Sequence, residues 1–458
     1  MTMKSRTRIA FAAIATTATI GMLAGCSSGS SAGSSDGKTT IVVAVDAGLE
    51  KPAKVAFQDQ VTAFEKANPK ITVTSREYTW TGTTFAAELA GGTLPDVFTI
   101  PFTDGKSLIQ QNQIADISGL VAKLPYADKF NPNVIKNGES ADGKVEALPI
   151  AAYGQALHYN RDLFTQAGLD PDSPPTTWAE VRADAKQIAD KTGKAGYATM
   201  TQGNTGGWIL TSLAYAMGGR AETGSGAKTT ATIDTAAYEK ALTLMQDMRW
   251  KDDSMGGNFL YDWNAINQAF ASGQVGMYVS GGGNYGSLVS QNQIDPKSYG
   301  ETVVPLTGKD AGALGGGTLA AVSAKSTSAQ QQAAVKWIDF YYMKKLFTKS
   351  DAQRDAKTLA ASDQPVGAPQ VPVFDKATYE KTLEWTKQWI NVPVDQMKPY
   401  TEQQFDQTIV PEPAKNTQEL YGLLDPVVQA VLTDEKADPA SLLKNAQTQV
   451  QAKLDASK

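Results

Sequence analysis

Aromatic and acidic side chains at strand ends and in glycine-rich loops are the residues of this chain best placed to do chemistry. Trp208 closes the loop Gln202-Gly203-Asn204-Thr205-Gly206-Gly207-Trp208, ahead of a helix. Trp80 follows a strand end beside Tyr78, and Trp263 sits in Tyr261-Asp262-Trp263-Asn264, just before another helix. Asp46 and Asp104 stand at strand ends. Flat rings stack on the apolar C–H side of a ligand, while carboxylates and amides take its hydroxyls in bidentate pairs. An aromatic ring in a polar loop has no core to fill. Covalent and metal chemistry are poorly supplied by comparison. The chain has one histidine, His158, and one cysteine, Cys26. That count leaves no multi-histidine or Cys/His metal site and little room for a catalytic triad. The Gly-x-Ser-x-Gly pattern occurs only within the Ser/Gly-rich stretch 25–37, with no apolar strand pattern leading into it, and no Gly-x-x-x-x-Gly-Lys-Ser/Thr phosphate loop occurs.

The elements that must position these residues follow from hydrophobic periodicity. Ile41 to Val45 is a continuous apolar run, which predicts a buried strand. From Pro52 to Lys66, Phe57, Val61 and Phe64 recur at helical spacing, until Asn68-Pro69 stops the helix. Ile71 to Tyr78 alternates and is rich in β-branched residues, predicting a second strand. Thr83 to Ala90 reads as a helix and Asp96 to Ile100 as a third strand. Such a βαβαβ unit builds a parallel sheet wrapped by helices. Ligands of such sheets bind outside the carboxyl ends of the strands, where Asp46, Tyr78, Trp80 and Asp104 fall. Farther on, Ala147 to Ile150 leads into Ala156 to Asn160. Thr177 and Glu180 form a capping box, Asp234 caps a helix carrying Tyr238, Leu242 and Met245, and Ser328 opens another. Two or three helices are expected between Asp375 and Leu454.

Composition bounds the class. The 458 residues are 41% hydrophobic and 19% charged, with net charge −5, as in an ordinary globular protein. An acidic chain without basic clusters is a poor nucleic-acid binder. At the start, Lys4, Arg6 and Arg8 precede an apolar stretch over 9–23 and then Leu23-Ala24-Gly25-Cys26, the layout of a secretory signal peptide. The run ending at Cys26 resembles the lipobox of bacterial lipoproteins. The resemblance implies cleavage before Cys26 and acylation of its sulfur. Residues 1–25 would be the signal peptide and the Ser/Gly-rich 26–38 a flexible tether. Two acyl chains suffice for stable anchoring.

Five further stretches resemble the extracellular sugar-binding proteins (solute-binding protein family 1) of bacterial ABC importers, in the family's order. They are Gly91-Gly92-Thr93-Leu94-Pro95-Asp96-Val97-Phe98, the pair Ala147-Leu148-Pro149 and Leu157 to Leu169, Pro174 to Glu180, Ala269 to Met277, and Gly315-Gly316-Gly317 with Ala320 to Ser323. They span about residues 39 to 345. His158 departs from the family's usual tyrosine and is expected to be structural.

The resemblance implies an α/β, type II periplasmic-binding-protein-like fold: two lobes, each a parallel or mixed sheet flanked by helices, with the ligand between them. By analogy lobe 1 is 39–150 plus 316–365, and lobe 2 is 151–315 plus 366–458. The Gly315–Gly317 run would be a hinge. Tyr153 would face the cleft after the first crossing, and Asn284 and Tyr285 would lie on a ligand-facing loop after Gly281-Gly282-Gly283. Trp385 and Trp389 are expected on a packing face, and Trp178 and Trp337 in the core. The implied function is capture of a carbohydrate, a di- or oligosaccharide, on the outer face of the cell membrane. The partners would be ABC permease subunits with their ATPase, and the membrane through the lipid anchor. The protein would be a monomer, with no cofactor, no metal and no catalytic residues. Two alternatives remain open: a secreted lipoprotein glycoside hydrolase, and a binding protein for a polyol, glycerol-phosphate or peptide.

Overall fold

A computed structural model describes residues 37–45, 51–78, 82–224 and 226–456. Cys26, Asp46 and Trp80 lie outside the described residues. The strands are β1 (Thr39–Val45), β2 (Ile71–Glu77), β3 (Val97–Pro101), β4 (Leu148–Asn160), β5 (Ala195–Tyr197), β6 (Glu222–Thr223), β7 (Thr230–Ala231), β8 (Val275–Gly281), β9 (Tyr299–Val303), β10 (Ala313–Val322) and β11 (Ile409–Pro411). The main sheet runs β2-β1-β3-β10-β4-β8-β5, with β11 beside β10 and β9 beside β4; β6 and β7 form a separate ribbon.

The opening unit forms as its periodicity predicts. β1 pairs parallel with β2 and with β3. The helix Lys51–Ala67 buries Phe57, Val61 and Phe64 on one face, and Phe64 meets the ring of Trp337 edge-on at 5.2 Å. Three hydrophobic clusters result. One gathers Ile41, Val43, Phe64, Val97, Trp337 and Phe374. A second, much larger, gathers Leu157, Phe164, Trp178, Ile209, Met245, Met277, Leu424 and Leu454. The third, with Phe98, Phe102, Ala152, Leu319 and Val371, sits where the two halves of the sheet meet.

Two strands serve both halves. β4 is a single 13-residue strand, where the sequence suggested two segments. Its first part pairs antiparallel with β10, and Gln155 to Asn160 lie between β8 and β9. β10 likewise pairs with β3 through Thr318 to Val322 and with β11 through Ala313 to Gly315. The glycines of β10 are sterically required. A Cβ on Gly316 would lie 2.7 Å from the Tyr153 hydroxyl, and one on Gly317 would lie 2.5 Å from the Phe102 ring. The side chains of Tyr153, from β4, and Phe102, from the helix after β3, fill the space over this bare backbone.

Local signals held in most places. Thr177 and Glu180 make the predicted capping box, and the helix Trp178–Thr192 ends at Gly193 in the left-handed conformation. Asp234 does not cap its helix. The N-cap of Ala236–Trp250 is Thr235, one residue on, and the Asp234 amide instead donates to Gln447 of the last helix. The C-terminal region holds four α-helices rather than two or three: Lys376–Thr386, Lys398–Gln403, Thr417–Thr433 and Pro439–Ala456. The third runs through Pro426, which removes the bond to the Gly422 carbonyl. Burial of Leu420, Leu424, Val428 and Val431 on either side offsets that loss. No helix among the described residues is long and apolar enough to cross a membrane.

Candidate ligand site

The site builds outward from β4. Tyr153 projects from the stretch that pairs with β10, and its hydroxyl donates to Glu412 Oε2 at 3.1 Å. Glu412 directly follows β11, and its other oxygen accepts from the Tyr421 hydroxyl at 3.1 Å. Burial pushes the Glu412 carboxyl above the usual carboxylate range, and the two tyrosine hydroxyls oppose it. Burial first, and then the Glu412 charge, push both phenols well above their ordinary value. Tyr153 and Glu412 both keep partial exposure, so this triad can meet a ligand.

Tyr421 leads to Trp208. It lies on the helix Thr417–Thr433, whose backbone at Tyr421 comes so close to Gly207 that no side chain fits there. Gly207 precedes Trp208 in the first turn of the helix Thr205–Ala216. One turn below Tyr421, Asp425 accepts the Asn204 amide at 2.7 Å and the Gly207 amide at 2.9 Å. Burial raises the Asp425 carboxyl, and the amides of Gly207, Asn204 and Gly206 hold it down. Trp208 is partly exposed and packs on the second core.

Trp208's loop is in turn tied to the Trp263 segment. The Tyr261 carbonyl accepts the amides of Thr201 and Gln202, at 2.8 and 3.2 Å. The Thr201 hydroxyl donates to the Phe259 carbonyl at 2.6 Å. Trp263 starts the helix Trp263–Ala271, capped by Asp262, whose side chain accepts from Ala265 at 2.8 Å. Beside it Leu260 is 53% exposed. Tyr153, Trp208 and Trp263 thus stand on one contiguous framework.

The other candidates lie elsewhere. Asp104 is in the first turn of the helix Phe102–Gln110, directly after β3 and half-buried, with the Thr103 hydroxyl donating to it at 3.3 Å. Tyr78 is placed inside, its ring against Phe98 and its phenol pushed up to about 12 mainly by burial. Asn284 and Tyr285 are also interior. The Gly282 amide donates to the Gly154 carbonyl at 2.6 Å, and the chain folds back behind it. Asn284 then donates to Asn267 Oδ1 at 2.8 Å, and the Tyr285 ring packs on Tyr299 at 4.9 Å. Trp178 and Trp337 are buried, as expected. Sequence reasoning missed Glu412, Tyr421 and Asp425. The signal for the first is Pro411-Glu412-Pro413, an acid fixed in extended chain by flanking prolines.

Next to this framework lies a different kind of polar group. Glu301 on β9 faces His158 on β4 in register, and both are fully buried. His158 Nδ1 is 2.8 Å from the Tyr299 hydroxyl. Burial pushes Glu301 up to about 8 and His158 down to about 4. Only the Gly283 amide and the Tyr299 hydroxyl favour the Glu301 anion.

The chain resembles known proteins over most of its length. It is 27% identical over 337 residues to a curated Brucella abortus protein named as a binding protein, covering 71% of this chain and 77% of that one. A solved cyclic α-maltosyl-1,6-maltose binding protein from Arthrobacter globiformis superposes with a TM-score of 0.69 at 22% identity, covering 92% of this chain and 100% of that one. UgpB from Mycobacterium tuberculosis, solved with glycerophosphocholine, gives a TM-score of 0.65 at 17% identity, over 92% of this chain and 100% of that one. These two share the two-lobed fold of periplasmic binding proteins. A family model for bacterial extracellular solute-binding proteins matches residues 59–356, and with that match across more than half its length, this chain belongs to the bacterial extracellular solute-binding proteins.

Proposed function

We propose that the chain is the lipid-anchored solute-binding component of an ABC importer, holding a neutral carbohydrate of two or more units between its lobes. The observation that carries this reading is the continuous framework from Tyr153 through Glu412, Tyr421 and Gly207 to Trp208. It sets a stacking ring and a hydroxyl-accepting carboxylate on one wall, rooted in the strand shared by both halves. Asp104, at the end of β3, is the acceptor proposed for the opposite wall, with Asp46 and Trp80 as further contacts. Trp263 extends the aromatic surface. Tyr78, Asn284 and Tyr285 would support the site from behind. The lobes would be 39–150 plus 316–365 and 151–315 plus 366–458, with Val373 and Phe374 packing back on the first core. β4, β10 and β11 would carry the hinge. Cys26 would anchor the protein outside the cell as a monomer, and a permease with its ATPase would take the ligand.

The test is calorimetric titration of the mature chain, carrying Cys26→Ser, with oligosaccharides, monosaccharides, polyols and glycerophosphocholine. The same mixtures are assayed for bond cleavage. Saturable one-to-one binding of an oligosaccharide without product is expected, and Trp208→Ala should weaken it at least about tenfold, the loss of one good stacking contact. Turnover would make the protein a glycoside hydrolase, and binding of glycerophosphocholine alone would replace carbohydrate as the ligand class.

A further inference from the structure

The helix that carries Trp208 is capped in an unusual way. Asn204 occupies its N-cap position, and asparagine is among the best residue types for that role. Yet the Asn204 side chain makes no cap bond and donates instead to Gln418 at 3.0 Å. The backbone there is left-handed, with φ of 66° at Gly203 and 67° at Asn204. The amides are satisfied by Asp425, a carboxylate from a different helix and only 8% exposed. A local cap was available in the sequence. The remote one ties the position of the first turn to the helix Thr417–Thr433.

That helix is also tied to the hinge strand. Tyr421 and Asp425 are four residues apart, so both side chains leave one face of the helix on adjacent turns. Tyr421 reaches Glu412 and through it Tyr153; Asp425 reaches Asn204 and Gly207. The two helices approach each other at glycines, Gly207 against the Tyr421 backbone. A Cβ on Gly206 or Gly207 would overlap the backbone of Thr201 or Tyr421, and one on Gly422 would lie 2.9 Å from Asn204 Oδ1. A contact packed that tightly transmits displacement rather than absorbing it.

We propose that Asp425 is a positioning residue for ligand recognition: it holds the Trp208 turn at a set place on the helix whose Tyr421 is bonded, through Glu412, to Tyr153 of the strand common to both lobes. It need not touch the ligand. This deepens the carbohydrate reading above and rests on Trp208 being a contact residue.

The experiment uses the mature chain, carrying Cys26→Ser, with Asp425→Ala, Asp425→Asn and Trp208→Phe. Two readouts need no ligand: hydrogen exchange at the amides of Asn204, Gly206 and Gly207, and acrylamide quenching of Trp208, taken as the difference from the Trp208→Phe background. The third is the affinity for maltotetraose and for the other saccharides of the panel. Asp425→Ala should speed exchange at those amides and increase Trp208 quenching while the remaining amides stay protected. It should weaken saccharide binding by about tenfold, the scale of a lost charge-assisted hydrogen bond. Asp425→Asn, which keeps an acceptor oxygen, should recover part of each. Saccharide binding equal to wild type in Asp425→Ala would overturn the inference and leave the carbohydrate reading intact. Unchanged exchange and quenching would overturn it as well. If wild type binds glycerophosphocholine or a polyol and no saccharide, the carbohydrate reading fails; the positioning role then stands if Asp425→Ala weakens that binding as well, and falls if it does not.

Discussion

Two carboxylates flank the strand shared by both halves of the molecule, and they are treated in opposite ways. Glu412 sits beside Tyr153, and Glu301 sits beside His158 five residues along β4, so the two lie on opposite faces of the strand. Glu412 keeps some exposure and accepts a tyrosine hydroxyl on each oxygen. Glu301 has no exposure and no cation near it: the titratable groups that face it are His158 and the tyrosines 278, 299, 379 and 400. Desolvation disfavours the charged form of both acids; at Glu301, which has no exposure, it prevails over the Gly283 amide and the Tyr299 hydroxyl. Glu412 therefore has the makings of a ligand acceptor. Glu301 is stored as a neutral acid that packs beside a neutral imidazole.

The sharpest way to break this contrast is to scan stability against pH. The native state holds the Glu301 proton up to about 8, while the unfolded chain releases it near 4.5. Folding therefore keeps an extra proton over that window, and stability falls as pH rises through it, on the order of a few kcal/mol in total. Glu301→Gln cannot ionise and should make the decline shallower, leaving the part due to Glu222 and Asp184, measured as melting temperature from pH 4 to 9; an unchanged decline would refute the neutral acid. His158 acts in the other direction and over a narrower range. Its imidazole stays neutral down to about 4 in the native state but gains a proton below 6.5 when unfolded. Its contribution is complete above 6.5 and is lost as pH falls toward 4. In wild type the His158 slope offsets that of Glu301 between 4.5 and 6.5. In His158→Gln that offset should vanish and stability should fall more steeply with rising pH across this window.

Glu412→Gln tests the other arm. It leaves one of Tyr153 and Tyr421 with a neutral acceptor and turns an amide NH2 toward the other, which should cost about 1–2 kcal/mol in denaturant unfolding. Saccharide affinity should drop in parallel. The smallest effect is expected away from both acids. Thr177→Ala removes one ordinary cap and should cost about 1 kcal/mol, with no change in binding or in the pH profile.

How far each region could be read from sequence follows the range of its interactions. The opening βαβαβ unit was legible because its strands pair with near neighbours and its helices carry a clean period. The Thr177 box was legible because both partners lie three residues apart. Trp208 and Trp263 stood out as aromatics in polar loops, and the structure joins their segments through Thr201 and Tyr261. Asp425 did not stand out, because its partners lie more than 200 residues earlier and an acid before a proline reads as a helix breaker. Glu301 was invisible for a related reason. In Tyr299-Gly300-Glu301-Thr302-Val303 it alternates like a solvent-facing strand residue. Nothing local says that helices will cover that face. Asn284 and Tyr285 were drawn inward by Asn267 and Tyr299, partners that the glycine triplet before them does not reveal.

The strands that serve both halves of the sheet also decide how the protein can be divided. A cut between β4 and β10 does not give two pieces with closed sheets. A fragment ending after β4 would lack β10 and leave β3, with its buried Val97, Phe98 and Ile100, as an open edge. Unprotected apolar edges pair with other chains and aggregate. Split reporters and truncated antigens made from this protein should therefore be cut in surface helices rather than between lobes, and a polypeptide stalled before residue 313 would need a chaperone to cover that edge.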